Sequence, residues 1–303
     1  MIVVEAKKLG KNYGRVKGGV QAIRGLSFIM EENKIIGLIG RNGAGKTTLL
    51  KMIAGYLRPT GGMLRVFERE PFNDLTVSAK TLFVDDSMTF PLSFTLADIL
   101  REAARFFPGF DAKLAEALAE YFSLNLKKSH HHLSKGTKST FNAIIGIASH
   151  CPLTLFDEPT SGMDSSVRKD FYRALLKDYI QHPRTIILSS HLLSEVEELL
   201  EDILLIHAGA ECLHLPVADL KEYAIGLRGP ARNVGELAQG REILHREEFG
   251  QGNIYLVVKK NFSPERLEEA RTRGVETVPI ATDDLCNYLT GSKGGIDDVF
   301  RRN

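Results

Sequence analysis

The run Gly40-Arg41-Asn42-Gly43-Ala44-Gly45-Lys46-Thr47 carries the densest chemical signal in the chain, because it fits the spacing G-x-x-x-x-G-K-[ST]. Its glycines allow successive backbone N–H groups to turn inward on phosphate oxygens, and a helix opening at the loop adds its positive dipole. Lys46 supplies a full charge for the β and γ phosphates, Thr47 offers a hydroxyl to Mg²⁺, and Thr48 joins the same nucleotide-binding set. A metal held by a triphosphate calls for a protein carboxylate, and Leu153-Thr154-Leu155-Phe156-Asp157-Glu158 presents one at the end of an apolar run. Asp157 is the expected Mg²⁺ ligand, directly or through water, and Glu158 is placed to polarise an attacking water. Taken alone, an acidic pair at this place reads as a cap for the following helix; beside a phosphate loop the metal reading prevails.

These groups need rigid elements behind them. Short apolar runs bounded by turn residues recur at Ile35 to Ile39, Leu153 to Phe156, Thr185 to Leu188 and Ile203 to Ile206, the length and character of buried strands. Helix-like segments interleave with them: Lys46 to Ala54, Ala97 to Phe106, Ala112 to Phe122, Ser139 to Ser149, Val167 to Tyr179 and Leu192 to Leu200. The alternation predicts an α/β fold with a mostly parallel sheet covered on both faces. From about Ser87 to His132 the pattern is helical throughout, a small insert. After Leu220 it changes again: Gly226, Gly229 and Pro230 punctuate it, Ile254 to Val258 reads as a strand, and Ser263-Pro264 opens a helix. The expectation is a main domain over residues 1–220, with its insert at 87–132, and a small α+β appendage over residues 221–303.

Composition bounds the function. Lys and Arg total 39 against 38 Asp and Glu, a net charge of +1, so no polyanionic partner is called for and nucleic acid is not expected. Cys151, Cys212 and Cys286 are widely spaced and odd in number, which fits neither a disulfide framework nor a zinc site and suits a reducing cytosol. The opening residues MIVVEAKKLGKNYG place charges where a leader needs apolar residues, and no apolar run reaches membrane-spanning length. The chain is expected neither to enter nor to span a membrane by itself. Three adjacent histidines, His130 to His132, cannot all face one ion from a single helix and read as a solvated edge of the insert.

Leu133-Ser134-Lys135-Gly136-Thr137, ahead of Asp157 and just before a helix, narrows the choice among phosphate-loop proteins. It resembles the signature motif of ATP-binding cassette ATPases, as LSKGT where the family usually shows LSGGQ; Ser134 and Gly136 match, Lys135 and Thr137 depart. The other motifs follow in the family's order over about residues 1–220. Tyr13 resembles the aromatic that stacks on adenine, Ser161-Gly162-Met163-Asp164 the segment that communicates between sites, and His191 the switch histidine that reaches the γ-phosphate and holds Glu158 and the water. Asp86 stands where the family normally has a glutamine that contacts Mg²⁺ and the attacking water; a carboxylate there keeps a metal donor but adds negative charge near the triphosphate.

The resemblance is to ATP-binding subunits of ABC transporters, in particular bacterial drug exporters. It implies a phosphate-loop NTPase with an antiparallel β edge region, an ATP- and Mg²⁺-dependent ATPase, and a dimer with nucleotides sandwiched between cassettes, so that Ser134 and Gly136 serve the ATP of the opposite subunit. The second cassette is either a further copy or a different chain. It also implies a separately encoded membrane permease that holds this chain at the cytoplasmic face of the membrane. Phe90, Pro91, Leu92, Phe94 and Leu96 either line that contact or form the insert's core. Asp283-Asp284-Leu285 and Ile296-Asp297-Asp298-Val299-Phe300 resemble the acidic-hydrophobic ending of exporter subunits. Two other readings stand beside this one: a regulatory or weakly hydrolysing cassette paired with another ATPase, and a soluble cassette ATPase outside transport.

Overall fold

The computed structural model describes residues 1–14 and 19–291. The chain divides into two compact units, Met1–His214 and Leu215–Asn303.

In the first unit, β1 (Ile2–Tyr13), β2 (Val20–Glu31) and β4 (Gly61–Val66) form a three-stranded sheet in the order β2-β1-β4, antiparallel at both joins. A six-stranded sheet holds β3 (Ile35–Ile39), β5 (Thr81–Val84), β6 (Leu153–Asp157), β7 (Thr185–Ser190), β8 (Asp202–His207) and β9 (Ala210–Pro216), ordered β5-β6-β7-β3-β8-β9. The joins β5/β6, β6/β7, β7/β3 and β3/β8 are all parallel. Ala208 and Gly209, both at positive φ, make the tight turn between β8 and β9. The helices are α1 (Lys46–Ile53), α2 (Leu75–Lys80), α3 (Leu96–Phe106), α4 (Ala112–Tyr121), α5 (Lys135–Ala148) and α6 (Ser165–Gln181).

The reason for this sheet lies in the strands themselves. β3 is buried at every position and β6 at all but its last, so both faces need cover, and parallel strands joined by helical crossovers supply it. Leu49, Leu50, Met52 and Ile53 of α1 turn inward to Ile36 and Leu38 of β3 and Leu155 of β6, joining one core with Val4 and Leu26 of the antiparallel sheet. Parallel order has one consequence for function. β5, β6, β7 and β3 are neighbours that run the same way, so the loops after Val84, Asp157, Ser190 and Ile39 emerge side by side at one edge, where open α/β sheets bind ligands.

The second unit contains α7 (Val217–Tyr223), β10 (Ala224–Pro230), α8 (Ala231–Ala238), β11 (Ile243–Phe249), β12 (Asn253–Lys259), α9 (Pro264–Thr272), β13 (Glu276–Val278) and α10 (Thr282–Leu289). Its strands pair antiparallel in the order β11-β12-β10-β13, and Val234 and Leu237 of α8 and Ala270 of α9 pack on Leu227, Ile254, Leu256 and Val258.

Two expectations are corrected here. Residues 192–200 do not form a helix: turns lead into a single 3₁₀ turn, Glu197–Leu199. Ser190 Oγ both accepts from the Leu192 N–H at 3.1 Å and donates to the Leu192 carbonyl at 2.8 Å, which ties the backbone into a tight turn that a helix cannot share. His130 is no solvated edge; it is buried, while His131 and His132 are exposed. The apolar rings of Phe90 and Phe141 take it in, and Asn142 satisfies its Nε2 at 2.9 Å.

Candidate nucleotide site

The phosphate loop joins β3 to α1. Gly43 and Gly45 sit at φ 82° and 106°, a region that residues with a Cβ seldom adopt, and a Cβ on Gly45 would stand 2.6 Å from the Ala22 carbonyl oxygen. A Cβ on Gly40 would meet the Ile206 carbonyl oxygen at 2.5 Å. Close backbone approach thus forces glycine at both ends of the loop, and at Gly45 conformation does so too. Gly45 is the N-cap of α1, and no side chain caps that helix. Ala44 packs into the core beneath, and Arg41, Asn42 and Gly43 are exposed.

Lys46 is 95% buried by its 5% exposure, yet it is charged, so its ammonium must be satisfied by neighbours. Nζ donates to the Gly40 carbonyl at 2.6 Å and lies 3.1 Å from Glu158 Oε1. Glu158 has φ 46°, unusual for a residue with a long side chain, and it follows the last residue of β6. Strain of that kind persists only where the surroundings hold it. Here Ser189 does so. Its Oγ accepts the Glu158 N–H at 2.9 Å and donates to Asp157 Oδ1 at 2.7 Å, one hydroxyl fixing both carboxylate residues. Ser189 faces Asp157 across the β6/β7 register. Sequence reasoning missed Ser189, although its place two residues before His191 in a buried strand was a usable signal.

Asn42, Gly43, Gly45, Lys46, Thr47 and Thr48 line a cleft of about 620 Å³ together with Asp86, Asp157 and Glu158. That volume suits a nucleotide-sized ligand. Thr47 is exposed to it, and with Asp157 and Asp86 makes an all-oxygen donor set, the chemistry that suits Mg²⁺. Asp86 follows Asp85, whose own carboxylate is turned away to accept from the Ser87 N–H and hydroxyl at 3.1 and 2.6 Å. Of the two aspartates only Asp86 lines the cleft.

The remaining sequence candidates lie nearby but apart. Tyr13 is at the end of β1, its hydroxyl 3.4 Å from Thr48 Oγ1 and the Lys11 ammonium 5.3 Å from its ring centre. Residues 15–18, which follow it, and the Ile296 to Phe300 motif lie outside the described residues. His191 is exposed just past β7, and among the described residues no hydrogen bond or ion pair joins it to Glu158. Ser134, Gly136 and Asp164 are not in the cleft with Lys46; they line a separate one with Gly162 and Met163. Ser134 caps α5 by accepting the Thr137 N–H at 3.3 Å. A Cβ on Gly136 would stand 2.2 Å from the Gly162 carbonyl oxygen, and Ser139 donates to the Ser161 carbonyl at 2.8 Å, so α5 grips the loop that follows Glu158.

Phe90, Phe94, Tyr56 and Phe106 line an apolar groove, with Leu92 exposed beside it and Leu96 buried in the insert. Elsewhere His150 Nε2 and His182 Nδ1 approach one oxygen of Asp178 at 2.9 and 3.3 Å, with Arg184 2.8 Å from the other. These contacts tie the ends of α5 and α6 together.

Comparison with known proteins supplies the family. The family described as ABC transporter matches residues 23–161, from β2 through the loop after Glu158. The chain is 27% identical over 229 residues to the ABC transporter ATP-binding protein YtrB of Bacillus subtilis, covering 75% of this chain and 76% of that one. It is 31% identical over 230 residues to the energy-coupling factor transporter ATP-binding protein EcfA1 of Methanospirillum hungatei, covering 73% and 81%. Its fold is similar to that of a dimeric ATP-binding cassette solved in a post-hydrolysis state with ADP and Pi, with a TM-score of 0.62 at 19% identity over 71% of this chain and 98% of that one. A phosphate loop, an acidic strand end and a capped second loop, set in this order on this sheet and matched across most of each relative, have one shared source: the chain belongs to the ATP-binding cassette family of ATPases, among the ATP-binding proteins of ABC transporters.

Proposed function

We propose that this chain hydrolyses Mg²⁺–ATP at the Lys46–Glu158 cleft and drives export through a separately encoded membrane subunit. The observation that carries the reading is the strained Glu158, pinned through its N–H by Ser189 and through its side chain by Lys46, at the rim of a phosphate loop. A protein that only binds nucleotide has no use for a carboxylate held at that point.

The residues divide the work. Backbone N–H groups of residues 40–48 and the uncapped start of α1 cradle the phosphates, with Lys46 shifting from Glu158 to the β and γ phosphates. Mg²⁺, when bound by Thr47, Asp157 and Asp86, would neutralise charge that develops on the transferred phosphoryl group. Glu158, released from Lys46, orients and polarises the water, and His191 at the end of β7 reaches toward the γ-phosphate. Tyr13, close to Thr48, is placed for the adenine. Ser134 and Gly136, on their separate cleft, serve the nucleotide of a second cassette, with Asp164 between the two sites. That cassette is a second copy or a different chain.

The reading attaches the chain to the membrane through a permease. Among the described residues no helix is long and apolar enough to cross a membrane, and the apolar groove lined by Tyr56, Phe90, Phe94 and Phe106 is a natural seat for the permease's cytoplasmic helices. On this reading the chain sits at the cytoplasmic face of the membrane. The single cassette followed by an α+β unit, a main domain over 1–220 and an accessory region over 221–303, supports the outward direction by its resemblance to exporter subunits. Asp86 favours a second reading, a weakly hydrolysing cassette, because a further carboxylate lines the cleft.

The test is ATP hydrolysis by the purified chain with Mg²⁺, beside Glu158→Gln, with molecular mass followed with and without ATP. Turnover that is lost in the variant, together with an ATP-trapped dimer, supports the reading. A native chain that neither turns over nor dimerises with ATP overturns it.

A further inference from the structure

The fixed charges around the cleft do not all have the same standing. Lys46 is matched to Glu158, and Asp157 is engaged by Ser189. Asp86 brings an additional negative charge to a pocket read above as a polyphosphate site, where a like charge opposes binding. The cation facing it is Lys135, whose Nζ lies 3.9 Å from Asp86 Oδ2 and whose side chain lines the same cleft from the first turn of α5. Arg24 also lines the cleft, from β2. Asp86 and Lys135 are two of the positions at which the sequence departs from the cassette pattern, and they face each other.

Their register is set from below. Asn142 of α5 donates through Nδ2 to the Asp85 carbonyl at 3.0 Å, and its Oδ1 is 2.9 Å from His130 Nε2. Asn142 is 1% exposed, so the polar chain is buried and ties the residue before Asp86 to the helix that bears Lys135. The two charged tips are 64% and 63% exposed, so their attraction is that of a surface pair, modest and screened by salt.

We propose that Lys135 is a positioning residue for nucleotide affinity that acts through Asp86: it offsets the carboxylate's charge so that Asp86 can face the phosphates and their metal. The inference rests on the reading of the cleft as an ATP site and adds to it why this chain carries a lysine in its signature loop.

A double-mutant cycle tests it. Affinity for a fluorescent ATP analogue with Mg²⁺ is measured for the native chain, Lys135→Gln, Asp86→Asn and the double variant. Lys135→Gln is expected to weaken binding about 1.5- to 5-fold in the native background, less at high salt, and to cost almost nothing when Asp86 is already Asn. Lys135→Arg should retain the native affinity. An equal cost in both backgrounds, which is the mark of a direct lysine–phosphate contact, overturns the proposal, as does no cost in either. Hydrolysis is scored separately: a chain that binds the analogue without turnover overturns the functional reading while leaving the cycle interpretable, and a chain that binds none overturns both.

Discussion

The chain contains two loops that end in glycine-bearing helix starts, and they are built on opposite plans. The first, Gly40 to Thr47, opens α1 at Gly45 with no side-chain cap, and its Lys46 is buried beneath the loop. The second, Leu133 to Thr137, opens α5 at Ser134, whose hydroxyl accepts the Thr137 N–H and lies 2.8 Å from Thr137 Oγ1. An uncapped helix end leaves its N–H groups to a ligand, whereas a capped one has met part of that need internally. The glycines differ in the same way. Gly43 is left-handed with open space around it, while Gly136 is helical and is required because the Gly162 carbonyl presses against it. The middle glycine of the first loop answers to conformation, and the glycine of the second to the chain's own next loop.

Mutations can break this contrast. The largest effect is expected at the first loop's partner: Glu158→Gln should lower the hydrolysis rate about 10²- to 10⁴-fold while ATP binding survives, measured by phosphate release and nucleotide titration. Gly136→Ala comes next, because its Cβ would stand 2.2 Å from backbone that has to move. A loss of about 1–3 kcal/mol in denaturant unfolding is expected, and an unchanged midpoint would show that the second loop is not held as described. Ser189→Ala should cost up to a similar amount, about 1–3 kcal/mol, by leaving Asp157 and the Glu158 N–H without their shared partner. Its signature is a fall in kcat with little change in KM.

Smaller effects sharpen the comparison. Ser134→Ala removes the α5 cap and should cost about 1 kcal/mol of stability, whereas α1 has no side-chain cap to lose. The smallest effect is a pH dependence. Burial lowers the His130 pKa below its ordinary 6.5. The unfolded chain then binds the proton more readily than the folded one, so the stability due to neutral His130 is present above about pH 6.5 and is lost as pH falls through the folded value. The drop in melting temperature from pH 8 to pH 5.5 should be larger in the native chain than in His130→Gln.

What each region owed to local sequence differs in the same way. The phosphate loop and Asp157-Glu158 could be read directly, since their chemistry is a matter of residue type and spacing within a few positions, and β3, which carries the loop, is a continuous apolar run. The helix placed at 192–200 failed because hydrophobic spacing there is helical while Ser190 closes a competing turn. His130 was misread because three histidines in a row look polar in sequence; its burial depends on Phe90 and Phe141, which are brought to it by folding.

The sequence by itself determined the phosphate chemistry, the alternation of strand and helix, and the order of motifs along the chain, because those are set by neighbouring residues. Only the tertiary structure decided that Ser189 joins Asp157 to Glu158, that Gly136 is pressed by Gly162, and that Lys135 stands opposite Asp86. These contacts join residues 26 to 49 positions apart in the chain and are made by strand order and helix packing, which no local pattern of residue types encodes.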